Sequence, residues 1–132
     1  MPLRNISVIA RIWGALSLGI GLCLAVTSIS SALMGEWGMF RDFMLSVLVC
    51  LGFALAFGLV GRKPPRNIGT RDAIFVVASG WVLASLLGAL PFMFAGELGL
   101  VDAVFESVSG FTTTGSSVMR QLDSIPRSLA MW

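Results

Sequence analysis

Histidine is absent from this sequence. That excludes an imidazole metal site and the histidine-based proton transfer behind much of enzyme catalysis. Charge is scarce as well. Asp, Glu, Lys and Arg make up 12% of the 132 residues, where a soluble domain carries roughly 25%. A water-soluble fold of this size needs more polar surface, so lipid must cover much of the exterior. The formal net charge of +2 is too small to argue for a nucleic-acid partner. Cysteine is limited to Cys23 and Cys50, both inside apolar runs, where a thiol reads as a small buried hydrophobe rather than half of a disulfide. No nucleophile–base pair and no metal-ligating cluster can be assembled from what remains, so nothing points to an enzyme or to a bound cofactor.

What is present in abundance is apolar: 56% of the residues are hydrophobic. Three stretches, 12–35, 43–61 and 73–96, carry no charge. Each approaches or exceeds the roughly 20 residues that a helix needs to cross about 30 Å of hydrocarbon. Helix is the only open choice for them, because an unpaired strand would leave backbone groups unsatisfied in lipid. Their glycines permit close helix–helix approach, although no GxxxG pair marks a contact face. Arg4 and Arg11 ahead of the first stretch, with Ser30-Ser31-Ala32 near its end, would also suit a signal peptide. The run is longer than the 7–15 residues of such a core, and two more spanning runs follow it, so it reads as a first membrane helix. The 62–71 connection holds Arg62, Lys63, Arg66 and Arg71 without an acid, and Arg4 and Arg11 precede the first helix. The other side holds three basic residues, Arg41, Arg120 and Arg127, diluted by acids. The positive-inside rule then puts the N-terminus and the 62–71 loop in the cytoplasm. Thr70 or Asp72 is expected to cap the third helix, which ends near Pro91 or a few residues later.

The chemistry lies between 97 and 127. Val101, Val104, Phe105 and Val108 recur at helical spacing and predict a short helix over 101–110, too short to span. Asp102 suits its first turn, and Gly110 suits a left-handed stop. Phe111-Thr112-Thr113-Thr114-Gly115-Ser116-Ser117 follows, uncharged and rich in hydroxyls, and Arg120, Gln121 and Asp123 return the chain to polar surroundings. An outward helix, a short helix, an extended Thr/Gly stretch and a polar exit together describe a re-entrant pore loop. Backbone carbonyls of such a loop can replace the hydration shell of a potassium ion without fixed negative charge, so the ion can also leave. The competing reading is an ordinary surface loop, which Thr/Ser/Gly runs form more often. Glu106 has three readings: an acceptor for nearby backbone amides, a group in an ion pathway, or a carboxylate at a wet outer vestibule.

At these residues the chain resembles the Trk/Ktr/HKT superfamily of potassium transporters. The resemblance runs through Arg71-Asp72-Ala73, Trp81, Gly88-Ala89-Leu90-Pro91-Phe92, the block from Asp102 to Gly115 (DAVFESVSGFTTTG), and Leu122-Asp123-Ser124-Ile125-Pro126. Two spanning segments ahead of that unit resemble the additional hairpin of the TrkH/TrkG branch. In that superfamily four helix–pore loop–helix units surround one pore. The resemblance implies an all-α membrane protein, with a cytoplasmic tip and transmembrane hairpin over 1–66 and the first half of a pore unit over 67–132. Within that half, 72–95 is the spanning helix, 101–110 the pore helix, 111–117 the filter and 118–132 the exit segment. It further implies potassium as the transported ion, filter carbonyls from Thr112, Thr113, Thr114 and Gly115, and support of the filter by Glu106, Gly110 and Ser116. Implied partners are membrane lipid, the remainder of the transporter, a second copy in a homodimer and a cytoplasmic nucleotide-binding regulatory subunit. The implied location is the inner or plasma membrane. Because the match ends near Trp132, the chain is expected to be the N-terminal part of such a transporter and not to conduct alone, since one filter strand of four cannot enclose an ion. The other reading is a small membrane interaction or regulatory protein that assembles with full-length transporter subunits.

Overall fold

A computed structural model describes residues 6–61, 69–119 and 125–132. Arg4, Arg62, Lys63 and Arg66, on which much of the orientation argument rests, lie outside the described residues, as do Arg120 and Asp123 of the exit segment. All regular structure among the described residues is helical: α1 (Ile6–Leu33), α2 (Trp37–Val60), α3 (Thr70–Phe94), α4 (Leu100–Phe111) and α5 (Arg127–Met131). The first three are long and apolar enough to cross a membrane. The fold class read from the sequence is therefore the one observed.

α1 and α2 form an antiparallel hairpin through a turn at Met34 and Gly35. Arg11 donates to the Gly61 carbonyl at 3.1 Å, and Ser28 donates to the Phe40 carbonyl at 3.3 Å, so the two helices pair in opposite senses along their length. Small residues allow the approach. A Cβ on Gly14 would lie 3.3 Å from the Ala54 carbonyl oxygen, and one on Gly21 would lie 3.1 Å from Cys50 Cβ. This is the contact face that no GxxxG motif announces. Trp13 then joins three helices, with ring centroids 5.3 Å from Phe57 and 6.1 Å from Phe75.

Five buried hydroxyls inside α1 to α3 carry no desolvation penalty of consequence, because they bond within their own helix. Ser17, Thr27, Ser31, Ser46 and Ser85 each donate to the carbonyl four residues back. Large apolar side chains such as Leu22, Val26, Leu55 and Val82 face outward instead. That pattern suits a lipid exterior. Cys23 and Cys50 are both free thiols.

One local expectation is corrected. α3 is capped at neither Thr70 nor Asp72: its N-cap is the extended Gly69, which has no side chain, and Thr70 and Asp72 fall inside the first turn. The end of α3 at Phe94, three residues past Pro91, agrees with the sequence reading. The five-residue α5, in the segment read as a polar exit, was not foreseen. It seats Leu129, 1% exposed, in a core shared with Leu24, Phe43, Ala89 and Ala103.

Candidate functional site

α4 places the site. Its buried residues are Ala103, Glu106, Ser107 and Ser109, while Val101, Phe105 and Val108 face outward. Of the apolar face read from the sequence, only Val104 packs partly against the core; the rest points away from the protein, and small and polar residues point in. Contact with α3 explains the choice. A Cβ on Gly88 would lie 2.5 Å from Ser107 Oγ and 2.6 Å from the Phe111 ring, so α4 docks where α3 has no side chain. Trp132 closes the same spot by donating its indole N–H to the Gly88 carbonyl at 2.9 Å.

The end of α4 shapes the loop. The Thr114 amide donates to Ser109 O at 3.0 Å, and the Thr113 amide donates to Gly110 O at 3.1 Å. This paired pattern is the Schellman motif, whose hinge residue is left-handed and usually glycine. Here the hinge is Thr113, with φ 56°. Gly110, expected to stop the helix by a left-handed turn, instead lies inside it, and the helix continues to Phe111. A β-branched residue in the left-handed region is strained by about 1–2 kcal/mol. The Thr112 hydroxyl donates to Val108 O at 2.7 Å and lies 2.8 Å from the Thr114 hydroxyl, which ties the run down locally. Gly115 supplies the next left-handed turn, with φ 72°.

Glu106 holds the loop from behind. A single carboxylate oxygen, Oε1, accepts from the Val118 amide at 3.1 Å, from the Met119 amide at 3.4 Å and, at closer range, from the Ser117 hydroxyl. The geometry matches the first of its three sequence readings, an acceptor for backbone amides. Thr112, Thr113, Thr114, Gly115 and Ser116 are all exposed on the face of this chain. Thr113, Gly115 and Ser116 border an open cavity of about 790 Å³, which is also lined by α1 at Gly19 and Cys23 and α5 at Leu129 and Ala130. Among the described residues, no three His, Cys, Asp or Glu side chains gather where a metal ion could be held.

A second carboxylate does work that the sequence does not announce. Glu36, in the α1–α2 connection, accepts from the Arg127 amide at 3.0 Å, from the Ser128 amide at 3.1 Å and from the Ser128 hydroxyl. The Ser128 hydroxyl is the main reason its carboxyl sits below the ordinary value; partial burial opposes this, and the two amides and the Arg127 charge add to the lowering. Pairing across more than ninety positions leaves no local signal, and only the packed helices reveal it.

No family model matches the chain. Curated proteins do. The Trk system potassium uptake protein TrkH of Halomonas elongata is 32% identical over 127 residues, which cover 95% of this chain and 26% of that protein. An uncharacterized cation transporter of Methanocaldococcus jannaschii is 30% identical over 132 residues, covering 98% of this chain and 27% of that protein. The Trk system potassium uptake protein TrkG of Escherichia coli K12 is 29% identical over 131 residues, covering 97% and 27%. The chain spans about a quarter of the length of these relatives.

Proposed function

Because this chain is a relative of the Trk potassium uptake proteins over nearly its whole length, we propose that it contributes one filter loop of four to a potassium uptake protein, with Thr112, Thr113, Thr114 and Gly115 giving carbonyl oxygens to the ion and with Glu106, Gly110 and Ser116 supporting them. One observation carries the reading. The amides on either side of the exposed loop are turned into the protein, Thr112 to Thr114 onto α4 and Val118 and Met119 onto Glu106. With those amides occupied, the peptide oxygens of the run are free to meet a dehydrated cation, alongside its hydroxyls. The negative end of α4 favours a cation at the same place.

In this reading α4 is the pore helix, α3 the spanning helix before it, and residues 67–132 the first half of a pore unit that follows a hairpin over 1–66. The remaining filter loops come from the rest of the transporter, so the segment does not conduct alone. The protein sits in the inner or plasma membrane with its N-terminus cytoplasmic, forms a homodimer and works with a cytoplasmic nucleotide-binding subunit. The superfamily resemblance supports those last assignments.

The test is ion selectivity in the transporter that carries this segment. Gly115→Ser is expected to relax the preference for potassium over sodium, measured by competing rubidium and sodium uptake at matched membrane abundance. An unchanged preference sinks the assignment. Ser116→Cys should react with an impermeant thiol reagent from outside, and Lys63→Cys only from the cytoplasm; the reverse pattern overturns the orientation.

A further inference from the structure

We propose that Glu36 is a positioning residue for the filter loop, acting through α5. The inference rests on the filter reading above and extends it to the N-terminal hairpin, whose turn holds the start of a segment that ends on the seat of the pore helix.

α5 follows Pro126, whose side chain has no hydrogen-bonding group with which to cap a helix. The first amides of a helix need an acceptor. Glu36 supplies both of its carboxylate oxygens to Arg127 and Ser128, reaching over from the α1–α2 connection. Its own backbone is held at the start of α2, where the Glu36 amide donates to Ser31 O at 2.9 Å and its carbonyl accepts from Phe40 at 2.9 Å. The side chain caps nothing in α2 and is committed to α5. The receiving side is equally fixed, because Ser128 is fully buried and Leu129 is in the core.

The other end of this C-terminal segment is tied to the filter's own support. Trp132 bonds the Gly88 carbonyl, and Gly88 is the point where α3 receives Ser107 and Phe111 of α4. So the segment from Pro126 to Trp132 is strapped at one end to the hairpin turn and at the other to the seat of the pore helix. Between the straps, Leu129 and Ala130 line the same open cavity as Gly115 and Ser117. Releasing Glu36 frees the first turn of α5 and, through Trp132 and Gly88, loosens the seat of the pore helix that carries the loop, without touching any atom offered to the ion.

The experiment compares Glu36→Ala, Glu36→Gln and Ser128→Ala with Gly115→Ser in the full transporter that carries this segment, reading potassium-over-sodium preference at matched membrane abundance. Glu36→Ala is expected to lower the preference by about tenfold, the scale of a lost charged helix cap. Glu36→Gln, which keeps one carbonyl acceptor, should lower it less. The Glu36→Ala and Ser128→Ala effects should not add, because both act on one contact. If Gly115→Ser relaxes the preference and Glu36→Ala does not, the proposal is wrong and the filter reading stands. If neither variant moves it, both fall. Should Glu36→Ala fail to reach the membrane, Ser128→Ala decides by the same ratio, since it deletes a single hydroxyl.

Discussion

Substituting Glu106 in three ways separates an acceptor from a charge. Three donors converge on one of its oxygens: the Ser117 hydroxyl and the Val118 and Met119 amides. Met119 has a second acceptor in Ser117 Oγ at 3.0 Å, so alanine costs most at Val118 and Ser117. A bond to a charged acceptor contributes about 1.5–3 kcal/mol. Because Ser117 and Val118 are exposed in this chain, water replaces part of the loss, and about 2 kcal/mol is expected for Glu106→Ala. Glutamine offers an amide oxygen at the same reach and gives up only the charge assistance, so about 1 kcal/mol is expected for Glu106→Gln. Aspartate keeps the charge but is one methylene short, and should behave like alanine. The assay is hydrogen exchange of the Val118 amide in lipid nanodiscs, where these energies become accelerations of about thirtyfold, fivefold and thirtyfold. If glutamine is as harmful as alanine while aspartate is tolerated, charge rather than acceptor placement governs Glu106, and the argument from the single shared oxygen fails.

Two further predictions concern backbone geometry and pH. Gly115 has φ 72° with open space around its missing Cβ, and Gly110 is helical and equally unobstructed. Gly115→Ala should therefore destabilise by about 1–2 kcal/mol through conformation alone, and Gly110→Ala should stabilise α4 by about 1 kcal/mol. Thermal unfolding that shifts both in the same direction would contradict this assignment of the helix stop. The carboxyl of Glu36 is held below its ordinary value of 4.5, first by the Ser128 hydroxyl and also by the Arg127 charge. A depressed carboxylate stabilises above its unfolded value and loses that contribution as pH falls through its folded one. Protection of the Ser128 amide should then hold constant from neutral pH down to about 4.5 and decline below it. Glu36→Gln should flatten that decline, which separates Glu36 from Asp42, a neighbour in the same surface pocket; a decline that survives in the glutamine variant would assign the titration elsewhere.

Composition and run length were enough to determine the solvent and the element type. Three charge-free stretches in a chain with 12% charged residues can only be helices in lipid, and the block from Asp102 to Gly115 carried the family resemblance that the curated relatives bear out. These features are local, and a linear reading sees them. Tertiary structure alone decided which face of α4 turns inward, because that depends on the bare backbone of Gly88, which leaves room for Ser107 and Phe111. It also moved the left-handed turn from Gly110 to Thr113, since the loop's hydrogen bonds to Ser109 and Gly110 demand a hinge at that position whatever residue occupies it. The pairing of Glu36 with Arg127 and Ser128 belongs to the same class. Partners separated by most of the chain meet through the packing of the helices between them, and no local sequence pattern encodes their meeting.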